Sequence, residues 1–259
     1  AAENLKVRLE SLIENRNSDP MNAYYDRITE ILTKGDFRSK PLDAERLQML
    51  DPQTAAEVFT SRFGGADDFI FVFTGNIDKE TFKNACELWI ASIPDGVTSE
   101  EARDLGVRPP EENITETVFR GIEQQGRVRI CFTQELKEWT ADTELQIRIA
   151  SQVIETLVRE HLREDLGGTY NISVSPNVTR EPYASVAVHI EFGCEPSRAD
   201  ELSESLIEII ENTSAGELEE EYIIRQEQQY RRSFEEAVEK NTFWLQHLEE
   251  AFGYGDDPE

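Results

Sequence analysis

The stretch Leu162-Arg163-Glu164-Asp165-Leu166-Gly167-Gly168-Thr169-Tyr170-Asn171-Ile172-Ser173-Val174-Ser175-Pro176 decides how this chain is read. Upstream, Ala150, Val153, Ile154, Leu157 and Val158 recur at helical spacing, so an amphipathic helix is expected over Thr140 to Arg163. Downstream, Tyr170, Ile172, Val174 and Val178 alternate with Asn171, Ser173 and Asn177, the pattern of a half-buried strand. Gly167 and Gly168 break the helix and let the backbone turn tightly between the two. The break sets Arg163, in the last helical turn, near Tyr170, at the first strand position. A cation and a phenol beside a backbone corner suit a peptide carbonyl or carboxylate. The same residues also suit a plain helix C-terminus, where Arg meets the negative end of the macrodipole and Gly supplies a left-handed cap. Arg159, one turn earlier, is the alternative cation.

Working outward, Tyr183 to Phe192 reads as a strand. Val186, Val188, Ile190 and Phe192 face inward, and Tyr183, Ser185, His189 and Glu191 face the other way. Arg127 to Thr133 alternates Val128, Ile130 and Phe132 with Arg127, Arg129 and Cys131, and Ile114 to Arg120 reads as a further strand. Phe69 to Phe73 is an unbroken apolar run, expected as a strand covered on both faces. Helices are expected over Leu5 to Glu14, from Asp19-Pro20 to Thr33, from Asp51-Pro52 to Phe63, over Lys79 to Ser92, over Ser197 to Asn212, and from Gly216 past Trp244. Gly35 to Pro41 and Pro94 to Pro110 read as loops. Strands and helices do not alternate strictly. The fold class is therefore α+β: a mixed, mostly antiparallel sheet with helices packed on one face.

With 259 residues the chain can bury one sizeable core and part of a second. Its 26 Lys and Arg against 53 Asp and Glu leave a formal charge of −27. That charge argues against nucleic-acid binding and against docking on anionic lipid. It suits either an acidic wall for basic peptides or a solvated surface from a salt-adapted source. Cys86, Cys131 and Cys194 are odd in number and widely spaced, so neither a disulfide framework nor a metal spacing is read; Cys131 and Cys194 read as small apolar residues of strands. No apolar run is long enough to span a bilayer, and Ala1-Ala2-Glu3-Asn4 leads straight into a charged helix rather than a signal peptide. The chain is expected to be a piece of a longer protein.

Three landmarks together resemble the C-terminal part of the insulinase/pitrilysin family of zinc metallopeptidases, in particular its bacterial four-domain members. They are the Leu162–Pro176 corner, the run Asp67-Asp68-Phe69-Ile70-Phe71-Val72-Phe73-Thr74-Gly75-Asn76-Ile77-Asp78, and Phe192-Gly193-Cys194-Glu195-Pro196. The resemblance covers about Leu42 to Trp244. It implies that residues 1–45 end a preceding domain with its linker helices, and that residues 46–259 form a C-terminal α+β domain of a clam-shell peptidase.

The family's chemistry rests on a helical His-x-x-Glu-His motif that binds zinc and supplies a general base. His161, His189 and His247 do not form that motif, so no metal site and no cofactor are expected within this chain. His161 and His247 read as surface helix residues. Zinc is expected in the N-terminal half of the parent protein. The resemblance further implies that Arg163 and Tyr170, seven positions apart, bind the substrate backbone and support the tetrahedral intermediate, with Gly167 and Gly168 shaping the corner. The implied partners are a peptide substrate and the metal-bearing half of the same chain or of a partner subunit; the implied location is the periplasm or cell envelope. The face bearing Tyr183, His189 and Glu191 either lines the chamber or is an ordinary wet sheet face. A non-catalytic partner or scaffold subunit derived from the same family is the alternative.

Overall fold

The computed structural model describes residues 2–67, 69–96, 102–122, 124–165, 169–216 and 218–258, without the side chains of residues 2, 3, 17, 163–165, 169 and 170. Along the chain run α1 (Ala2–Ser18), α2 (Pro20–Leu32), α3 (Ala44–Gln48), α4 (Pro52–Phe63), α5 (Lys79–Trp89), β1 (Gly126–Glu135), α6 (Ala141–Arg159), β2 (Thr169–Thr179), β3 (Ser185–Cys194), α7 (Ala199–Ser214), α8 (Glu220–Ala237) and α9 (Asn241–Tyr254). A π-helical turn, Glu160–Asp165, continues α6. The helix starts follow from local chemistry. Asp19, Asp51, Asp78 and Thr140 each accept a backbone N–H of the first turn, and Pro20 and Pro52 occupy first-turn positions where no donor is needed. None of the described helices is long and apolar enough to cross a membrane.

The chain divides into two units. One comprises residues 102–109 and 120–233, and it holds the sheet. Strand order is β1-β3-β2, with both pairings antiparallel, so β3 is central and β1 and β2 are edges among the described residues. The register aligns apolar residues in rows: Val128 with Phe192 and Ile172, and Ile130 with Ile190 and Val174. These rows meet Val158 of α6, Leu162 of the π turn, and Leu202 and Leu206 of α7 in one buried cluster. Ile190, Val158, Leu162, Leu202 and Leu206 have no exposed surface. The fold is thus the expected α+β layer, with helices on the apolar face of an antiparallel sheet. Cys194 joins this core, as its apolar setting suggested.

The other unit comprises residues 1–101, 110–119 and 234–259 and is helical. Arg16 of α1 and Asp26 of α2 form an ion pair, and Ile13, Leu47 and Ala251 are the unit's buried apolar residues among those described. Two strand expectations fail here. Phe69–Phe73 carries no strand pairing, and Phe69, Ile70, Phe71 and Phe73 are exposed. An apolar run becomes a doubly covered strand only where neighbouring strands supply ladder partners, and none of the described residues does so here. Phe69 instead continues an aromatic file: Phe59–Phe63 at 5.1 Å, Phe63–Phe69 at 6.0 Å and Phe69–Phe71 at 6.1 Å between ring centroids. Ile114–Arg120 likewise has no strand pairing, and Phe119 is exposed.

This contrast between units predicts where truncation matters. Leu206→Ala should lower the unfolding free energy by about 2–5 kcal/mol, because a fully buried side chain leaves a cavity. Phe59→Ala should cost less than about 1 kcal/mol, since its ring is already mostly in water. Urea unfolding of the two variants checks this; equal losses would contradict the assignment of the core.

Candidate functional site

The corner singled out in the sequence is built on two irregular pieces of backbone. α6 remains regular to Arg159, and the next six residues, Glu160–Asp165, form the π turn that includes Arg163. A π turn holds more residues per turn than an α-helix. The backbone beyond its start therefore falls out of step with a regular helical wheel, by up to roughly one residue step of about 100°. On the strand side, Tyr170 lies in β2 where its register against β3 shifts between Thr169 and Ile172. A bulge of this kind bends the strand and re-aims a side chain. The structure thus places Arg163 and Tyr170 on the backbone flanking the corner. Their side chains, and Gly167 and Gly168 entirely, lie outside the described residues.

The π turn is held on three sides. Leu162 points into the core with no exposed surface. Glu160 Oε2 accepts from the Tyr222 hydroxyl of α8 at 2.7 Å, which pushes the phenol pKa up because ionisation would break that bond beside a carboxylate. His161 Nε2 lies 3.1 Å from Ser205 Oγ of α7. One turn back, the buried Gln226 donates to Thr156 Oγ1 at 3.0 Å. His161 is therefore half-buried between helices, not the surface residue expected, because Ser205 of the packed helix gives its ring a polar partner. His247 is exposed, as expected. Arg159, the alternative cation, forms an ion pair with Glu155 along α6.

A second cluster lies on the sheet face away from the core. Glu191 accepts from Arg127 Nη1 at 2.8 Å and from Arg129 Nε at 2.6 Å. Directly opposite in the ladder, Cys131 on β1 faces His189 on β3, with Sγ 3.1 Å from Nδ1. Cys131 is thus half of a polar cross-strand pair as well as a small strand residue. Burial pushes the thiol up, the nearby Arg129 partly opposing it. Burial also lowers the His189 imidazole below its ordinary value, and Arg129 adds to that shift. Both groups therefore favour the neutral state. At the sheet end, the Arg108 guanidinium lies over the Tyr183 ring, 3.4 Å from its centroid. Strand alternation already puts Cys131 and Arg129 on one face of β1, and His189 and Glu191 on one face of β3. Only the register shows which residues meet.

No group of three or more His, Cys, Asp or Glu among the described residues is placed to hold a metal ion. The three histidines instead meet Ser205, Cys131 and the Pro258 carbonyl, so this donor set does not fit a zinc site.

The depressed His189 pKa gives a pH dependence with a definite sign. The unfolded imidazole takes a proton near 6.5, while the folded one takes it only at lower pH. The stability that His189 contributes is thus complete above about pH 6.5 and is lost as pH falls towards the folded value. NMR titration should show His189 with a midpoint below 6.5, and His189→Gln should flatten the loss of stability between about pH 7 and about pH 5. A midpoint above 6.5 would contradict the half-buried neutral pair.

Comparison with known proteins shows the family. A family model described as the peptidase M16 inactive domain matches residues 57–230. The chain is 25% identical over 258 residues to a "Zinc protease PQQL-like" of Arabidopsis thaliana, covering 92% of this chain and 26% of that protein. It is 25% identical over 198 residues to a "Probable zinc protease PqqL" of Haemophilus influenzae, covering 74% of this chain and 20% of that protein. Among solved structures, the periplasmic protease PqqL of Escherichia coli superposes with a TM-score of 0.82 at 18% identity, covering 99% of this chain and 28% of that one. The ferredoxin protease FusC, solved as a mutant in complex with Arabidopsis ferredoxin, gives 0.77 at 14% identity, with coverage of 99% and 28%. The chain spans about a quarter of the length of these relatives. The match covers most of the chain, and the resemblance carried by the Leu162–Pro176 corner agrees with it: the chain belongs to the inactive-domain family of the M16, insulinase-type zinc peptidases.

Proposed function

We propose that this chain is the C-terminal, substrate-facing domain of a longer zinc metalloendopeptidase, closing the chamber in which peptides are cleaved. The single observation that carries this reading is the membership in the M16 inactive-domain family of a chain whose Arg163 and Tyr170 flank one corner, on a π turn and at a strand bulge. In this reading residues 1–45 end a preceding domain and 46–259 carry the peptidase-family fold. Arg163 and Tyr170 donate hydrogen bonds to the substrate backbone and to the oxyanion that develops at the scissile carbonyl. Gly167 and Gly168 give the backbone room to present them. Zinc and its general base belong to the N-terminal half of the same longer protein or to a partner subunit, since the described donors here do not fit a zinc ion. The chain alone hydrolyses nothing. A periplasmic or envelope location is supported by the printed name of the Escherichia coli relative.

The test uses the full-length protein and a quenched-fluorescent peptide. Arg163→Ala and Tyr170→Phe should each lower kcat/KM on the order of 100-fold, the cost of losing one donor to an oxyanion, with zinc content unchanged. Unchanged turnover in both would remove the proposed roles. A full-length protein that binds no zinc and cleaves nothing would favour the alternative, a non-catalytic subunit of the same family.

A further inference from the structure

We propose that Tyr222 and Ser205 are positioning residues: by holding Glu160 and His161, they fix the π turn from which Arg163 works. The inference rests on the role proposed above for Arg163 and goes beyond it by naming what keeps that residue in place.

Four observations converge. The backbone at Glu160–Asp165 is π-helical, a conformation that is rare and costly without external support. Its first residue is tied to α8 through the 2.7 Å bond from Tyr222 to Glu160, and its second to α7 through the 3.1 Å contact of His161 with Ser205. Its third residue, Leu162, is sealed in the core. Arg163 is the fourth. Three consecutive residues are therefore clamped to three different surroundings immediately before the residue assigned to the substrate. Relaxing the turn to regular α-helix would rotate Arg163 about the axis by roughly 100°. Tyr222 and Ser205 supply hydroxyls from two different helices, so two consecutive residues of the turn are tied to separate elements. Surface helix termini fray without consequence; this one is fastened.

The experiment compares Tyr222→Phe, Ser205→Ala and Glu160→Gln in the full-length protein, alone and combined with Arg163→Ala. Tyr222→Phe and Ser205→Ala should each lower kcat roughly tenfold with KM little changed, because misplacement of a transition-state donor acts on the chemical step. Glu160→Gln, which keeps an oxygen to accept from Tyr222, should retain most of the rate. In the Arg163→Ala background, Tyr222→Phe should cost nothing further, as for two residues acting through one group. Amide hydrogen exchange at residues 160–165 should quicken in Tyr222→Phe and Ser205→Ala, with the rest of α6 unaffected.

Losses that multiply with that of Arg163→Ala would overturn the proposal, as would unaltered exchange at 160–165. If Arg163→Ala itself leaves turnover intact, the reading of Arg163 fails first and the positioning role falls with it. If Arg163→Ala is costly and the hydroxyl deletions are harmless, only the positioning role fails.

Discussion

The sheet-bearing unit depends on one apolar layer, in which Ile190 and Phe192 of the central strand press against Val158, Leu162, Leu202 and Leu206. Leu162 is the member that joins this layer to the π turn. Its burial holds the end of α6 against the sheet, so the chain leaves the helix at a place set by the core. Beyond the register shift in β2, the next rung is Ile172 opposite Phe192. Hydrophobic burial is non-directional and supplies the stability. The Tyr222–Glu160 hydrogen bond and the His161–Ser205 contact are directional and tie the π turn to α8 and α7.

The polar side of the sheet carries ion pairs beside a neutral pair. Glu191 accepts from two guanidinium groups, and the adjacent Cys131–His189 pair is kept uncharged by burial. In a chain with a formal charge of −27, this face carries Arg127 and Arg129 paired to one carboxylate.

Most of the layer architecture was legible in the sequence, because period-two and period-3.6 patterns were unambiguous over α6, β2, β3 and α7. The ends of β3 moved by only two residues, from Tyr183–Phe192 to Ser185–Cys194. The π turn was not legible, since Val158 and Leu162 are spaced as in an α-helix and the anchoring hydroxyls are 44 and 62 residues away in sequence. Cross-strand meetings such as Cys131 with His189 require a register, which alternation leaves open. Phe69–Phe73 misled for a different reason. Its apolar run speaks of what the segment can bury, while pairing depends on strands that the described residues do not place beside it.

The central claim is that this domain serves catalysis without containing it. The most direct measurement is zinc content and peptide hydrolysis of the isolated chain beside the full-length protein on the same peptides. The account predicts a zinc-free, silent chain and a zinc-loaded, active full-length protein. Hydrolysis by the zinc-free isolated chain would contradict it.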